Sequence, residues 1–102
     1  PCPDLAICTI LSNALENAMH SLENLESGDK WTRLSLTQKD HQLLLEIENP
    51  VNQMPRFIDG IPASAQKGHG IGVKSIVYYV EQLHGQYHFS VLNHTFILRI
   101  IV

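Results

Sequence analysis

The sequence has little cysteine and no concentrated charge, and these absences exclude several classes of protein. Only Cys2 and Cys8 are present, without metal-type spacing or a secretory segment at the start, so we expect a reduced cytosolic compartment. The formal net charge is -3 and no run of lysine or arginine occurs, so we expect no nucleic-acid binding. No apolar stretch in the sequence approaches the roughly 20 residues that cross a bilayer, so we expect no direct membrane contact.

The composition is that of a small globular protein. The chain has 102 residues, of which 44% are hydrophobic and 17% are charged. This is enough to bury one compact core and too little for two, so residues 1–102 are predicted to form a single domain.

Apolar residues at three- and four-residue steps predict two amphipathic helices. The first runs from Asp4 to about Glu26, and the second runs from about Ile71 to His84 with Gly85 as its C-cap. The residues predicted to face inward are Ile7, Leu11, Ala14, Leu15, Ala18, Leu22 and Leu25 in the first helix, and Val73, Ile76, Val77, Val80 and Leu83 in the second.

Alternating apolar and polar residues predict four strands in two hairpins. They span Trp31 to Thr37, Leu43 to Glu48, Gln86 to Leu92 and Thr95 to Val102, with turns at Lys39-Asp40-His41 and at Asn93-His94. In the first hairpin, Leu34 and Leu36 are predicted to lie on one side of the first strand, and Leu43, Leu45 and Ile47 on one side of the second. Between the hairpins, the segment from Asn49 to Gly70 is rich in proline and glycine and has no period, so it is predicted to be a long loop of the functional or mobile kind.

The order helix, hairpin, loop, helix, hairpin predicts an α/β (α+β) two-layer sandwich, a four-stranded sheet covered on one face by two main helices. If the second helix crosses over between strands two and three, that pair would be parallel and the sheet mixed, although mostly antiparallel. The other face of the sheet is predicted to be exposed to solvent and to carry Trp31, Arg33, Ser35 and Thr37.

The polar side of the first helix is rich in asparagine. Asn13, Asn17, His20 and Asn24 fall on one narrow stripe with Glu16 at its edge. Asparagine is a mediocre helix former, but its side-chain oxygen can ligate a hard cation and its nitrogen can donate to a phosphate. The stripe is therefore either a solvated helix face or part of a binding site.

A glycine-rich segment opens the second helix. Glycines in Lys67-Gly68-His69-Gly70-Ile71-Gly72 allow the backbone to approach a ligand, and the helix start directs unpaired N–H groups toward an anion. Ordinary turns also use such glycines. The segment is neither a Walker loop nor a well-placed dinucleotide fingerprint.

These two segments resemble motifs of one family. Asn13-Ala-Leu-Glu-Asn-Ala18 is similar to the N-box, and Gly68-His-Gly-Ile-Gly72 is similar to the G2-box, of the GHKL (Bergerat-fold) ATP-binding superfamily. Ile47-Glu-Asn-Pro50 further resembles sensor histidine kinases of the peptide quorum-sensing type, in which an asparagine replaces the adenine-reading aspartate.

The resemblance implies a site for ATP and Mg²⁺. Asn17 would ligate the metal, Asn13 would contact phosphate or metal-bound water, and Asn49 would meet the adenine amino group. The implied nucleotide-binding residues are Asn13, Asn17, Asn49, Lys67, Gly68, His69, Gly70, Ile71 and Gly72. No catalytic acid or base is assigned, because members that hydrolyse ATP themselves place a glutamate where Asn13 stands.

The implied activity is that of a two-component sensor histidine kinase. ATP would donate its γ-phosphoryl group to a histidine on a separate helical dimerisation domain, from which it passes to an aspartate of a response regulator. That phosphoacceptor domain is not in this sequence, so the chain alone is not expected to autophosphorylate. Its implied place is the cytoplasmic end of a membrane-anchored sensor. Since Asn49-Pro50-Val51 replaces the usual glycines, the alternative is a degenerate, non-catalytic interaction module that no longer binds nucleotide.

Overall fold

The computed structural model describes residues 3–23, 25, 28–51, 56–62 and 71–102. Within these ranges lie two helices and six strands: α1 Pro3–Glu23, β1 Arg33–Lys39, β2 Gln42–Pro50, β3 Phe57–Ile58, β4 Ile61–Pro62, α2 Ile71–Gln82, β5 Gln86–Leu92 and β6 Thr95–Ile101. The predicted α+β sandwich, with two helices and a mostly antiparallel four-stranded sheet, is confirmed. Among the described helices, none combines the length and hydropathy of a membrane span.

The main sheet has the strand order β1-β2-β6-β5. Each pair of neighbours in it is antiparallel, so the parallel pair predicted between the second and third strands is absent from the described sheet. β2 and β5 do run in the same direction, as a crossover through α2 requires. β6, however, folds back from β5 through a two-residue turn and pairs with both of them. The crossover therefore spans one inserted strand.

Two tight turns set the register of the sheet. Asp40 and His41 have φ of 50° and 67°, and Asn93 and His94 have φ of 52° and 59°. Two consecutive residues of positive φ are the mark of the type I′ hairpin turn, whose twist matches that of the flanking strands. The two predicted hairpins are thus confirmed at their predicted turns.

The core lies between the helices and one face of the sheet. Leu45 and Ile47 of β2 lie opposite Ile100 and Leu98 of β6, and all four side chains are buried. The helix residues in the same cluster are Ile10, Ala14, Ala18, Val73, Ile76 and Val80. Burial of these side chains, at about 1.5–3 kcal/mol for each large one, holds the two layers together.

The opposite face of the sheet is largely polar, as predicted, although it also carries Leu44, Ile97 and Ile101. Arg99 of β6 pairs with Glu46 of β2 across the strands, with 2.8 Å between Arg99 Nη2 and Glu46 Oε2. Arg33 of β1 pairs with Glu48 at 3.5 Å. Exposed cross-strand pairs of this kind contribute less than about 1 kcal/mol each, so this face adds solubility rather than a second core.

The inward face of α1 agrees with the prediction in part, since Ala14 and Ala18 were predicted to face inward and Ala6 and Ile10 were not. The most deeply buried residues of α1 are Ala6, Ile10, Ala14 and Ala18, whereas Leu11, Leu15 and Leu22 are only partly buried. Small side chains on this face let α2 pack closely against α1. Asn13 and Asn17 are half-buried rather than fully solvated.

The end of α2 is closed by two residues with different roles. His84 takes the left-handed conformation, with φ of 58°, and the Gly85 N–H donates to the Val80 carbonyl. The left-handed residue at the end of the helix is therefore His84, one residue before the predicted C-cap Gly85. Gly85 is required for another reason, because an added Cβ would meet the carbonyl oxygen of Ile101 and lie 2.6 Å from Val102 Cγ1.

The predicted long loop contains a small hairpin. β3 and β4 pair antiparallel around Asp59 and Gly60, whose φ angles are 52° and 78°. Phe57 and Ile61 are partly buried and pack against the core cluster. This part of the segment is therefore anchored, whereas residues 52–55 and 63–70 lie outside the described ranges.

Candidate functional site

Two of the predicted site residues meet where α1 passes the start of α2. A Cβ built on Gly72 would lie 3.8 Å from both the Cβ and the carbonyl oxygen of Asn13, and 3.9 Å from its side-chain Oδ1. The side-chain amide of Asn13 therefore lies beside the first turn of α2, and no side chain at position 72 comes between them.

The first turn of α2 is suited to an anion. The first four N–H groups of a helix have no partner within it, and the helix dipole places partial positive charge there. This turn contains no acidic residue, and Lys74 is exposed within it. Val73 and Ile76 are buried in the core and hold the turn in place. The local field thus favours a negatively charged group.

Asn17 lies one helical turn after Asn13 and is also half-buried. It stands between Ala14 and Ala18, which are both buried against the core and fix this part of the helix. Its amide oxygen is a hard ligand of the type that Mg²⁺ prefers. Among the described residues there is no group of three or more His, Cys, Asp or Glu that could hold a metal ion. Asn17 could thus contribute one ligand, and the others would have to come from elsewhere.

Asn49 is the one buried polar residue of the described core. It lies on β2 opposite Phe96 of β6, on the helix side of the sheet, and it is 1% exposed. Its Nδ2 donates to the carbonyl oxygen of Pro50 at 3.2 Å, while its Oδ1 is buried and accepts a hydrogen bond from none of the described residues. Leaving such an acceptor unpaired costs about 1–3 kcal/mol, which is why an orphaned group of this kind points to a ligand.

The connection after α2 places Asn49 and Gly72 at the same end of the sandwich. Only residues 83–85 separate α2 from β5, so the helix runs back along the sheet. The 12 residues of α2 span about 18 Å and the seven of β5 about 23 Å. The start of α2 therefore lies near the end of β5. At that end of the sheet, Val91 of β5 lies opposite Phe96 of β6, and Phe96 lies opposite Asn49 of β2.

The structure also has a cleft that lies away from the predicted site residues. A cleft of about 390 Å³ opens at the opposite end, between the start of α1, the β1–β2 turn and the residues after α2. Its lining is half apolar, with Ile7, Leu43, Leu83 and Val102, and half polar, with Asp4, Gln38, His41 and Gln42. None of the predicted site residues lines it, so its position gives no support to the asparagine site.

The remaining predicted residues divide into two groups. Ile71 is the first residue of α2, as predicted, and its side chain is not described. Outside the described residues lie Lys67, Gly68, His69 and Gly70, and also Asn24 of the polar stripe. Sequence reasoning did not identify the Pro50 carbonyl or the exposed Lys74 as parts of this region. The Asn49-Pro50 pair at the end of a predicted strand could have pointed to the Pro50 carbonyl, since a proline at a strand end interrupts the hydrogen bonds between strands.

Comparison with known proteins identifies a sequence family and solved structures of similar fold. The sequence family described as "GHKL domain" matches residues 4–102. The fold is similar to the histidine kinase domain of the blue-light activated histidine kinase from Erythrobacter litoralis, with a TM-score of 0.67 and 21% sequence identity over 95% of this chain. The match covers 45% of that protein, so this chain spans less than half its length. No curated protein sequence is significantly similar to this chain.

Proposed function

Because this chain belongs to the GHKL domain family, we propose that it is the ATP-binding catalytic domain of a two-component sensor histidine kinase. In this proposal the domain binds Mg-ATP, and the γ-phosphoryl group is transferred to a histidine on a separate helical dimerisation domain of the same kinase. The phosphoryl group then passes to an aspartate of a response regulator. The sequence Ile47-Glu-Asn-Pro50 supports assignment to the peptide quorum-sensing type.

The observation that carries this proposal is the contact between Asn13 and the first turn of α2 at Gly72. An amide side chain and unpaired backbone N–H groups are both hydrogen-bond donors for phosphate oxygens. We assign Asn13 and the amides of Ile71 and Gly72 to the phosphates. The residues that precede them, Lys67, Gly68, His69 and Gly70, are assigned to the same role because of their position in the chain.

Asn17 is proposed as the protein ligand of Mg²⁺. A magnesium ion is usually held by one or two protein oxygens and completed by phosphate oxygens and water, which fits a donor set consisting of a single amide oxygen. When bound, Mg²⁺ neutralises the charge that develops on the phosphate oxygens during transfer. Asn17 is half-buried, on a part of α1 that the buried Ala14 and Ala18 hold against the core.

Asn49 is proposed as the residue that reads adenine. Its buried Oδ1 requires a donor, and the exocyclic amino group of adenine supplies one. This requirement favours a binding role over the alternative of a module that has lost nucleotide affinity, because a buried, unpaired acceptor costs stability and needs a reason to persist.

The chemistry of Asn13 favours phosphoryl transfer over hydrolysis. An amide has no basic lone pair at neutral pH, so Asn13 can position phosphate or a water but cannot take a proton from it. The site would therefore hold ATP without activating water. The nucleophile would come from the partner domain, and positioning would supply most of the rate.

Titration calorimetry with a non-hydrolysable ATP analogue, with and without Mg²⁺, tests the proposal. We expect binding that is strengthened by Mg²⁺, and an affinity loss of about tenfold or more in Asn17→Ala, since a metal ligand is lost. Glu16→Ala is the matched control, because Glu16 is the exposed neighbour on the same helix. Equal affinity of the wild type and Asn17→Ala would contradict the metal assignment. The absence of any binding would favour the degenerate interaction module.

A further inference from the structure

We propose that the open edge of β1 pairs with the same strand of a second copy of this chain, so that two four-stranded sheets join about a twofold axis at Ser35. None of the residues proposed to bind ATP lies on β1. The pairing is therefore a separate property of the chain and needs no nucleotide.

The two edges of the main sheet differ in how they are covered. β5 forms one edge, and its helix-side Phe89 is buried. β1 forms the other, and all seven of its residues are exposed. They include Leu34 and Leu36, whose partners on β2 are buried core residues. The helix side of β1 is therefore a largely uncovered apolar surface that continues the core.

The β1 edge lacks the features that keep a strand from pairing with another chain. Its seven residues include no proline, and its register with β2 runs from Arg33 to Lys39 without a bulge. These two charged residues stand at the ends of the strand, and Leu34 to Gln38 between them are uncharged. Natural sheets shield their edges with charge, proline or bulges, because an exposed strand recruits another strand. β1 is therefore available for strand pairing.

The register with β2 determines which backbone groups of β1 are free. Leu43 of β2 exchanges both backbone hydrogen bonds with Val102, on the β6 side. Because these groups alternate in direction along a strand, Glu46 directs its own toward β1, where Ser35 lies opposite it. Every second residue of β1, counted from Ser35, therefore bonds to β2. The backbone groups that point to the open edge are those of Leu34, Leu36 and Gln38.

Two antiparallel registers satisfy these groups over most of β1, and the side chains distinguish them. With the twofold axis at Ser35, Leu34 lies opposite Leu36 of the second copy. Arg33 then lies opposite the uncharged Thr37. With the axis one residue later, the basic residues at the two ends of β1 lie directly opposite each other, which is destabilising. The axis at Ser35 is therefore the complementary register.

The helix layer leaves room for this pairing. α1 packs on β2 and α2 packs on β5, so the side of α1 away from α2 faces the β1 edge. At about 100° per residue, Leu15 and Met19 lie about 160° and 120° around the helix from Asn13, which contacts α2. In the joined sheet, β2 and its copy are three strand spacings apart, about 14 Å. This exceeds the distance of about 8–10 Å between packed helices, so two copies of α1 fit above the paired edges.

The expected dimer is weak, because one strand pair and a few side chains form a small interface. We expect a monomer at about 10 µM and at least half dimer at about 1 mM. Leu36 stays exposed in the monomer, so the stability of the single chain is measured at the lower concentration.

Sedimentation equilibrium of the chain without nucleotide, from about 10 µM to about 1 mM, measures the association. Leu36→Lys places one charge from each copy at the paired edges and should weaken association at least about tenfold. Leu92→Lys is the matched control, since Leu92 is an exposed leucine on the opposite edge strand and should leave association unchanged. A chain that stays monomeric at about 1 mM, or equal association of the two variants, would overturn the proposal.

Disulfide cross-linking tests the register. In a background of Cys2→Ser and Cys8→Ser, Ser35→Cys places two thiols opposite each other in a non-hydrogen-bonded pair. The Cα atoms of such a pair are about 4.5 Å apart, within reach of a disulfide. The two copies of Leu36→Cys are offset by two residues along the strands, beyond that reach. We expect oxidised glutathione to cross-link Ser35→Cys alone, and cross-linking through Leu36→Cys instead would contradict the axis at Ser35. Neither measurement involves ATP, so failure of the dimer leaves the proposed function untouched.

Discussion

The backbone of Gly72 faces Asn13 across a gap that one methyl group would fill. A Cβ at position 72 would lie 3.8 to 3.9 Å from Asn13 atoms, which is ordinary van der Waals contact, and Gly72 does not have a positive φ. Position 72 can therefore accept an alanine but is close enough to Asn13 for a larger side chain to disturb it.

Two substitutions at this position should separate stability from binding. Gly72→Ala should raise the free energy of unfolding by about 0.5–1 kcal/mol, because alanine is the better helix former. Gly72→Val adds two further methyl groups next to Asn13 and should weaken binding of the ATP analogue by about tenfold, a cost of about 1.4 kcal/mol. Urea unfolding and calorimetry measure the two quantities. Unchanged affinity in Gly72→Val would contradict the assignment of this contact to the phosphates.

Gly85 should tolerate no side chain. Its Cβ position meets the Ile101 carbonyl oxygen and Val102 Cγ1, and backbone atoms cannot move aside as a flexible side chain can. Gly85→Ala should therefore lower the free energy of unfolding by about 1–3 kcal/mol or more.

Gly28 provides the control for this measurement. It has a φ of 98°, and nothing described lies within 4 Å of its Cβ position, so Gly28→Ala strains the backbone without a clash. We expect it to cost about 1 kcal/mol. A larger loss in Gly28→Ala than in Gly85→Ala, measured by urea unfolding, would show that close packing is not what requires glycine at position 85.

Leu36 and Leu45 test how far the core extends toward β1. The two residues lie opposite each other on the helix side of the sheet, yet Leu36 is 54% exposed and Leu45 is 2% exposed. Leu45→Ala should therefore cost about 2–5 kcal/mol of unfolding free energy. Leu36→Ala should cost less than about 1 kcal/mol, because little buried area is lost. Similar losses for the two variants, again measured by urea unfolding, would mean that β1 is covered in solution.

Most of the architecture follows from local patterns in the sequence. The alternation that predicted a strand from Gln86 to Leu92 gives β5 with the same bounds, and Asn93-His94 forms the expected turn. The small hairpin around Asp59 was not predicted, because two-residue strands are too short to show a period. The Asp59-Gly60 pair was the available signal, since it is a preferred type I′ sequence.

The details of the site depend on pairings that a sequence does not display. The pairing of β2 with β6 places Asn49 opposite Phe96, and the β1–β2 ladder begins at Arg33 opposite Glu48, so it does not reach Pro50. Both are long-range registers. The inward face of α1 was predicted to hold Ala14 and Ala18, which are buried, together with Leu11, Leu15 and Leu22, which are only partly buried, because contact with α2 favours the side of the helix that carries the small residues. The strand registers and the buried face of α1 were therefore both determined by elements distant in sequence.

The insertion of β6 between β2 and β5 affects how the protein is assembled on the ribosome. β6 is the last of these strands to be synthesised, and it pairs on both sides, so the nascent chain exposes an open edge of β2 until Thr95–Ile101 has emerged. Folding must therefore be completed late, with the closing step at the middle of the sheet. A premature stop before Thr95 would remove a central strand and leave β5 without its partner in the sheet, rather than shorten the domain by one edge.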